Sequence, residues 1–317
     1  MKWPSFLKSG DDATRPRIGL ALGSGAARGW AHIGVIDTLL DAGVDIHCVA
    51  GTSMGALVGG VYAGGGLEAL RELALKMNWR DFLYYFVEPR IPRQGLIDGH
   101  HIERWLRERV PCRDIGEMAI PFAAVSTDLR TGSPHVFREG PLIEAIRASI
   151  SLPGMFSPVA CGDRLLVDGG LVNPVPVDVA HAMGADRVIA VEINSAPRWN
   201  ERTGDDTPAW TQSPAAPPGN TFEKFRTAID DLFSHRSSAA PSWLEQGEGP
   251  NLFEVLGLSI QIMEARICDA RFRDHPPDLL IRPEMPGIQL LDFVKADRAI
   301  EAGRRAAGEI LPRVRAW

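Results

Sequence analysis

The sequence predicts an α/β protein built on a mainly parallel central sheet, and three observations carry that expectation. Short apolar runs alternate with stretches of helical periodicity along most of the chain. Two of those runs end in glycine-rich loops. One of the two passes through Gly51-Thr52-Ser53-Met54-Gly55 straight into a helix of small residues, so strand, tight turn and helix follow one another without a spacer.

The elements follow in order. Arg17–Leu22 is a short buried strand, and Gly23–Gly29 is a loop opening a helix that runs to about Ala42, with Ile33, Ile36, Leu39 and Leu40 at helical spacing. Val44–Ala50 is the second strand, and the helix after the turn continues to about Ala63. Helices are expected over Leu67–Asn78, His101–Arg109 and Leu142–Ser149, and strands over Phe122–Val125, Leu165–Val167 and Arg187–Ile193. Beyond Asn194 the character changes. Ser195–Asn220 carries Pro197, Pro208, Pro214, Pro217 and Pro218, and is expected to be loop. Thr221–His235 predicts an amphipathic helix, with Phe222, Phe225, Ile229, Leu232 and Phe233 on one face. Leu252–Arg271 predicts a helix that is apolar nearly all round as far as Ile267, and so is expected to be core or the wall of a channel and not surface. A strand at Asp278–Arg282 and a helix at Leu291–Gly308 complete the chain. The domain plan is therefore an N-terminal extension over residues 1–16 and one catalytic domain over 17–317, carrying a Pro/Trp-rich insertion at about 195–251.

A chain of 317 residues buries a full core, and 45% hydrophobic with 23% charged residues is ordinary for a globular protein. The net charge of −6 argues against nucleic acid as a partner. A membrane surface stays open, because local patches count for more there than the total. Cys48, Cys112, Cys161 and Cys268 form no C-x-x-C or Cys/His cluster, which predicts reduced buried thiols, a cytoplasmic setting and no metal site. The apolar part of Met1–Lys8 is too short for a signal peptide, and the apolar window Val49–Gly66 falls short of a span of about 20 residues.

The chemistry begins at Ser53. Gly51 and Gly55 let the chain turn sharply and project the serine oxygen from the turn, the arrangement of a nucleophile elbow. A serine needs a base beside it, and Asp168, on the Asp168-Gly169-Gly170 turn after a strand, supplies a carboxylate. The loop Gly23-Ser24-Gly25-Ala26-Ala27-Arg28-Gly29 ends the first strand and opens a helix, so its amides form an anion-binding concavity. As a dinucleotide loop its glycines are one residue too widely spaced, although Asp45 stands near the expected acidic position. A P-loop lacks its G-K-[ST]. An oxyanion hole beside the elbow accounts for both features, since a dinucleotide site has no use for the serine. The histidines downstream of Asp168 are His181, His235 and His275, and none stands on an evident strand-end loop. A serine–aspartate dyad, with Asp168 taking the serine proton directly, fits better than a triad.

Four stretches taken together resemble the bacterial patatin-like phospholipases: Gly19–Gly29, Gly51–Gly55, Ser151-Leu152-Pro153-Gly154 and Val167–Pro176. The likeness covers roughly Arg17–Ile193 and the tail from about Pro276. It implies a three-layer α/β/α patatin-like fold and metal-free, cofactor-free hydrolysis of lipid acyl esters. Ser53 is then the nucleophile and Asp168 the base. The amides around Ser24, Gly25 and Ala26 are the oxyanion donors, with Arg28 as the basic residue of the loop. Gly23, Gly29, Gly51, Gly55, Gly169 and Gly170 are the motif glycines. Ser24 and Ala26 stand where the family usually has glycine, and an alanine resists a positive φ.

Two other classes remain open on sequence: an acyltransferase using the same dyad, and a non-catalytic regulatory protein retaining the fold. Asp128 is expected to be a turn or cap residue. Trp199, Trp210 and Trp243 fall in the insertion, which is either a loop and helix packed on the domain or a lid that seats the protein at the inner membrane face.

Overall fold

The computed structural model describes residues 16–78, 81, 98–194 and 252–317. The insertion and the helix expected over Thr221–His235 lie outside the described residues, as does all of the N-terminal extension but Pro16. Eight strands form one mixed sheet: β1 (Ile18–Leu22), β2 (Ile46–Thr52), β3 (Phe122–Asp128), β4 (Pro134–Phe137), β5 (Val159–Cys161), β6 (Arg164–Asp168), β7 (Arg187–Val191) and β8 (Leu279–Ile281). The order is β5-β6-β3-β2-β1-β7-β8, with β4 also paired to β3. The segment from β3 through β2, β1 and β7 to β8 is parallel, and the β4, β5 and β6 pairings are antiparallel.

The helices are α1 (Ala31–Asp41), α2 (Met54–Ala63), α3 (Leu67–Lys76), α4 (His100–Arg109), α5 (Leu142–Ser149), α6 (Val177–Ala182), α7 (Leu252–Asp274) and α8 (Ala296–Val314). Strand alternation sorts the core into two layers. Leu20, Leu22, Val49, Phe122, Ile189 and Val191 face one side, packed under α1, α2, α5 and α8. Ala21, Cys48, Ala50, Val125, Val188 and Ala190 face the other, with Val177, Ala180 and Cys268 from α6 and α7. Cys48 and Cys268 are buried thiols, whereas Cys112 and Cys161 are half-buried, against the expectation that all would be interior.

From β1 the chain first winds outward through β2 to β3, and later crosses to β7 and β8 on the other side. The carboxyl ends of β1 and β2 therefore sit at the switch point where open α/β sheets hold their ligands. Several boundaries, and two strands, differ from those expected. β2 continues to Thr52 because its pairing with β3 persists that far, one residue beyond its pairing with β1. Strands β4 and β5 were not foreseen: one begins on a proline and the other has only three residues, so neither carries an apolar alternation. The last helix starts at Ala296, because Asp292 holds the backbone of Gln289 in a turn and a 3₁₀ segment at Phe293–Lys295 precedes it.

α1 and α8 cross almost backbone to backbone. A methyl group at Gly34 would lie 1.9 Å from the Ile300 carbonyl oxygen, and one at Gly303 would lie 2.0 Å from that of Ala31. Helix propensity alone favours alanine at either site by about 1 kcal/mol. The overlap outweighs it: Gly34→Ala is expected to destabilise the protein by roughly 1–3 kcal/mol, read as a lowered thermal midpoint. A raised midpoint would contradict this packing.

Candidate active site

The site is assembled on one edge of β3. Along Val49–Thr52, β2 pairs with Phe122–Val125 and then stops. The next residue of β3, Ser126, pairs instead with Asp168 at the end of β6, which runs the opposite way. The far edge of β3 is taken by β4 over Ala124–Phe137 and Thr127–Pro134, so β2 and β6 share the remaining edge end to end. Two strand ends thus meet head on, and Ser53 and Asp168 stand at the junction.

Ser53 occupies φ 54° and ψ −121°, a conformation that costs a non-glycine residue about 1–3 kcal/mol. The turn is held from both sides. The Ser53 N–H donates to Ser149 Oγ at 2.9 Å, and that hydroxyl donates to the Val125 carbonyl at 2.5 Å. Thr52 Oγ1 donates to the Asn173 carbonyl at 2.8 Å. A methyl at Gly55 would lie 2.1 Å from the Leu22 carbonyl oxygen, so only glycine lets α2 start this close to β1.

Ser53 Oγ donates to Asp168 Oδ2 at 2.5 Å, at the short end of the range for a hydroxyl on a charged carboxylate. The Gly170 N–H donates to Asp168 Oδ1 at 2.8 Å. The Asp168 backbone is fixed by Thr127 Oγ1 on its carbonyl (2.8 Å) and by its own N–H on Ser151 (2.9 Å). Ser53 is 8% exposed and Asp168 1%. Burial raises the Asp168 pKa, while the bonds from Ser53 and Gly170 pull it part of the way back. Neither residue takes a hydrogen bond from a histidine among the described residues.

The Gly23–Gly29 loop approaches from β1. Its N–H groups are unequal. That of Gly23 donates to Val191, that of Ser24 to Pro174 (2.9 Å), that of Ala27 to Leu290 and that of Arg28 to Gly25. The Ser24 amide, expected as an oxyanion donor, is engaged by Pro174; among the described residues, the Gly25 and Ala26 amides have no such backbone partner. Arg28, the basic residue of the loop, donates from Nε to the Ile288 carbonyl at 2.9 Å and braces the loop toward the α8 side. Gly29 packs against Met54, where an added methyl would lie 2.3 Å from Cβ. Ala26 has φ 47°, and with Ser53 it is one of two non-glycine residues of positive φ among those described. Behind the loop, buried His32 places Nε2 2.8 Å from the Gly23 carbonyl, and burial lowers its pKa to about 4, so the ring is neutral and donates.

α7 supplies what sequence reasoning missed. Gln261, Glu264, Ala265 and Cys268 face inward, whereas Val255, Leu258, Ile262 and Met263 are exposed. The expectation of a helix buried all round is thus corrected: Val255, Leu258, Ile262 and Met263 lie outside, and two polar residues, Gln261 and Glu264, point in beside Ile260, Ala265 and Cys268. Glu264 Oε2 accepts from Ser24 Oγ at 3.0 Å and from Asn194 Nδ2 at 2.5 Å. The only signal for it in the sequence was a carboxylate inside an apolar helix. Of the other candidates, Asp128 is a turn residue as expected, accepting from the Arg130 N–H at 3.0 Å. His181 binds the Ala185 carbonyl at the end of α6, and His235 lies outside the described residues. Among the described residues, no group of three or more His, Cys, Asp or Glu is placed to hold a metal ion.

The site thus sets a serine on a strained strand-to-helix turn, bonded to a buried carboxylate, beside a loop in which, among the described residues, the Gly25 and Ala26 amides are unengaged. The chain belongs to the patatin-like phospholipase family, whose model matches residues 20–181. An uncharacterized NTE family protein of Mycobacterium tuberculosis is 33% identical over 341 aligned residues, covering 94% of this chain and 92% of that one. A second from the same species is 32% identical over 92% of this chain and 46% of its own length. Human patatin-like phospholipase domain-containing protein 6 is 33% identical over 61% of this chain and 14% of its own. The sheet with helices on both faces is the patatin fold, and family membership makes lipid acyl hydrolysis the general class of activity.

Ala26 carries strain that glycine would not. Ala26→Gly is expected to raise stability by about 1 kcal/mol in thermal unfolding, against the usual sign for gaining a glycine. A lowered midpoint would show that the methyl group makes contacts outweighing its backbone cost.

Proposed function

We propose that this protein hydrolyses acyl esters of lipids through a Ser53–Asp168 dyad and an acyl-enzyme. The observation that carries the reading is the 2.5 Å hydrogen bond from Ser53 Oγ to a buried carboxylate. Ser53 Oγ attacks the ester carbonyl as its proton passes to Asp168. The oxyanion is met by the N–H groups of Gly25 and Ala26, preorganised at the loop–helix junction. Collapse of the intermediate expels the alcohol, which takes the proton back from Asp168. Water then attacks the acyl-serine, giving its proton to Asp168, and release of the fatty acid restores the serine. The raised pKa of Asp168 suits this task, since a base is most effective when its pKa lies near the working pH.

The reading extends to a lipid surface. The exposed residues Val255, Leu258, Ile262 and Met263 lie on the same helix as Glu264, beside the site, and offer an apolar face to acyl chains. No helix among the described residues is long and apolar enough to cross a membrane, so the contact proposed is peripheral.

Ser53→Ala and Asp168→Asn are each expected to lower kcat/KM for acyl esters by at least about a thousandfold, with folding retained by circular dichroism. Unaltered turnover in purified Ser53→Ala would overturn the assignment. In the wild type, kcat/KM is expected to fall about tenfold per unit as pH drops below the raised Asp168 pKa, because only the ionised carboxylate accepts the proton. Ile262→Lys is expected to depress hydrolysis of vesicle phospholipid several-fold more than that of a soluble short-chain ester. Equal losses on both would remove α7 from the lipid contact.

A further inference from the structure

Glu264 has no part in the steps above, yet it is the second buried carboxyl at the site. It is 5% exposed and stands against Gly170, the residue whose N–H holds Asp168. A methyl group at Gly170 would lie 2.0 Å from Glu264 Oε1 and 3.2 Å from Asp168 Oδ1. The two acids are thus separated by little more than the side chain that Gly170 lacks. Two carboxylates so close in a buried setting cannot both ionise cheaply, and one proton stays with the pair.

The surroundings decide which acid keeps it. Asp168 accepts from the Ser53 hydroxyl and from a backbone amide, and its proton-accepting oxygen faces the nucleophile. Glu264 is approached by Ser24 from the loop after β1, by Asn194 from beyond β7 and by Asp168 from the end of β6. Glu192 and Cys268 line the same small cavity. Glu192 is paired with Arg282 at 2.5 Å and offers no free charge, while burial pushes the Cys268 thiol upward and keeps it neutral. Among the described residues, Glu264 has no cationic partner. Its 2.5 Å spacing to the Asn194 amide is below the N–H···O range and falls at the short end of the O–H···O range. Among the described residues Asn194 Oδ1 is buried without a partner, so a half-turn of that amide presents an acceptor to a protonated Glu264.

We propose that Glu264 is a positioning residue working as a neutral acid: it ties the Ser24 loop to α7 and keeps its proton, so that Asp168 alone carries the negative charge of the pair. The first half follows from Ser24, whose hydroxyl reaches Glu264 while its N–H holds Pro174, so the loop bearing Gly25 and Ala26 is anchored from two directions. The second half follows from the reaction. Its transition state adds an oxyanion beside that same loop, and an ionised Glu264 would repel it at low dielectric. Burial and the nearby Asp168 both raise the Glu264 pKa, in keeping with a proton retained at neutral pH.

The catalytic part rests on the hydrolase reading, and the test separates the two. For the wild type and Glu264→Gln, kcat/KM for a soluble short-chain ester is measured across pH. Both are expected to share the acid limb set by Asp168. The wild type loses activity at alkaline pH as Glu264 ionises, and Glu264→Gln, which has no proton to lose, holds its plateau. Glu264→Ala, which leaves Ser24 and Asn194 unpaired, is expected to react about tenfold more slowly with a fluorophosphonate at neutral pH, and Glu264→Gln to recover most of that loss. Identical alkaline limbs in wild type and Glu264→Gln, or a Gln variant as slow as the Ala variant, would overturn the proposal. Thermal unfolding reads the proton without any activity. The folded chain holds it over a pH range where the unfolded chain has lost it, so the stability Glu264 contributes declines as pH rises through that range. The midpoint of Glu264→Gln relative to wild type is therefore expected to climb from about pH 5 to about pH 8, and a constant difference would overturn the neutral acid. A wild type inert toward esters and unlabelled by the fluorophosphonate would fail the hydrolase reading, while the thermal comparison still decides the protonation of Glu264.

Discussion

Everything at the site depends on how β3 divides one of its edges. β2 pairs with that edge as far as Val125, and β6 takes it over from Ser126, so the two strands abut and do not overlap. Backbone hydrogen bonding therefore sets the distance between Ser53 and Asp168 before any side chain is placed. The side-chain bonds are refinements of that frame: Ser149 on the Ser53 amide, Thr127 on the Asp168 carbonyl and Gly170 on the carboxylate. With Asp168 brought this close, its carboxylate reaches Ser53 directly. The same crowding that makes the contact direct also removes water from Asp168, and that desolvation makes its carboxylate more basic than one on the surface.

The parts of the molecule legible in the sequence are those governed by local chemistry. The elbow is written in Gly51, Ser53 and Gly55, the carboxylate turn in Asp168-Gly169-Gly170, and the parallel strands in short apolar runs ended by glycine. Ala26 stands where the sequence resembles a glycine run, and the structure places it at φ 47° despite its methyl group. What was not legible depends on pairing at long range. The 2.9 Å bond that engages the Ser24 amide goes to Pro174, and no pattern near residue 24 announces it. Strands β4 and β5 are recruited to edges by neighbours already in place, so their own composition says little.

α7 shows why periodicity misled. Its inward face mixes Gln261 and Glu264 with Ile260, Ala265 and Cys268, while Val255, Leu258, Ile262 and Met263 lie outside, so its apolar residues blur into an all-round hydrophobic helix when read without partners. Glu264 and Gln261 point in because a polar site waits beneath them, whereas Ile262 and Met263 are left outside. A buried acid in an apolar helix is costly unless something there uses it, and that is the kind of local inconsistency that marks a working site.

The shared edge of β3 has a bearing on how relatives of this chain should be judged. The signature residues are carried by three separate strand ends, and their meeting depends on the length of a strand that contains none of them. Insertion or deletion of one residue within Phe122–Asp128 would shift the pairing on that edge and turn its side chains to opposite faces. Both motifs would survive intact, and the serine would still have lost its carboxylate partner. Competence in this fold is therefore inherited through a spacing as much as through a signature, and an inert descendant can keep every recognisable residue.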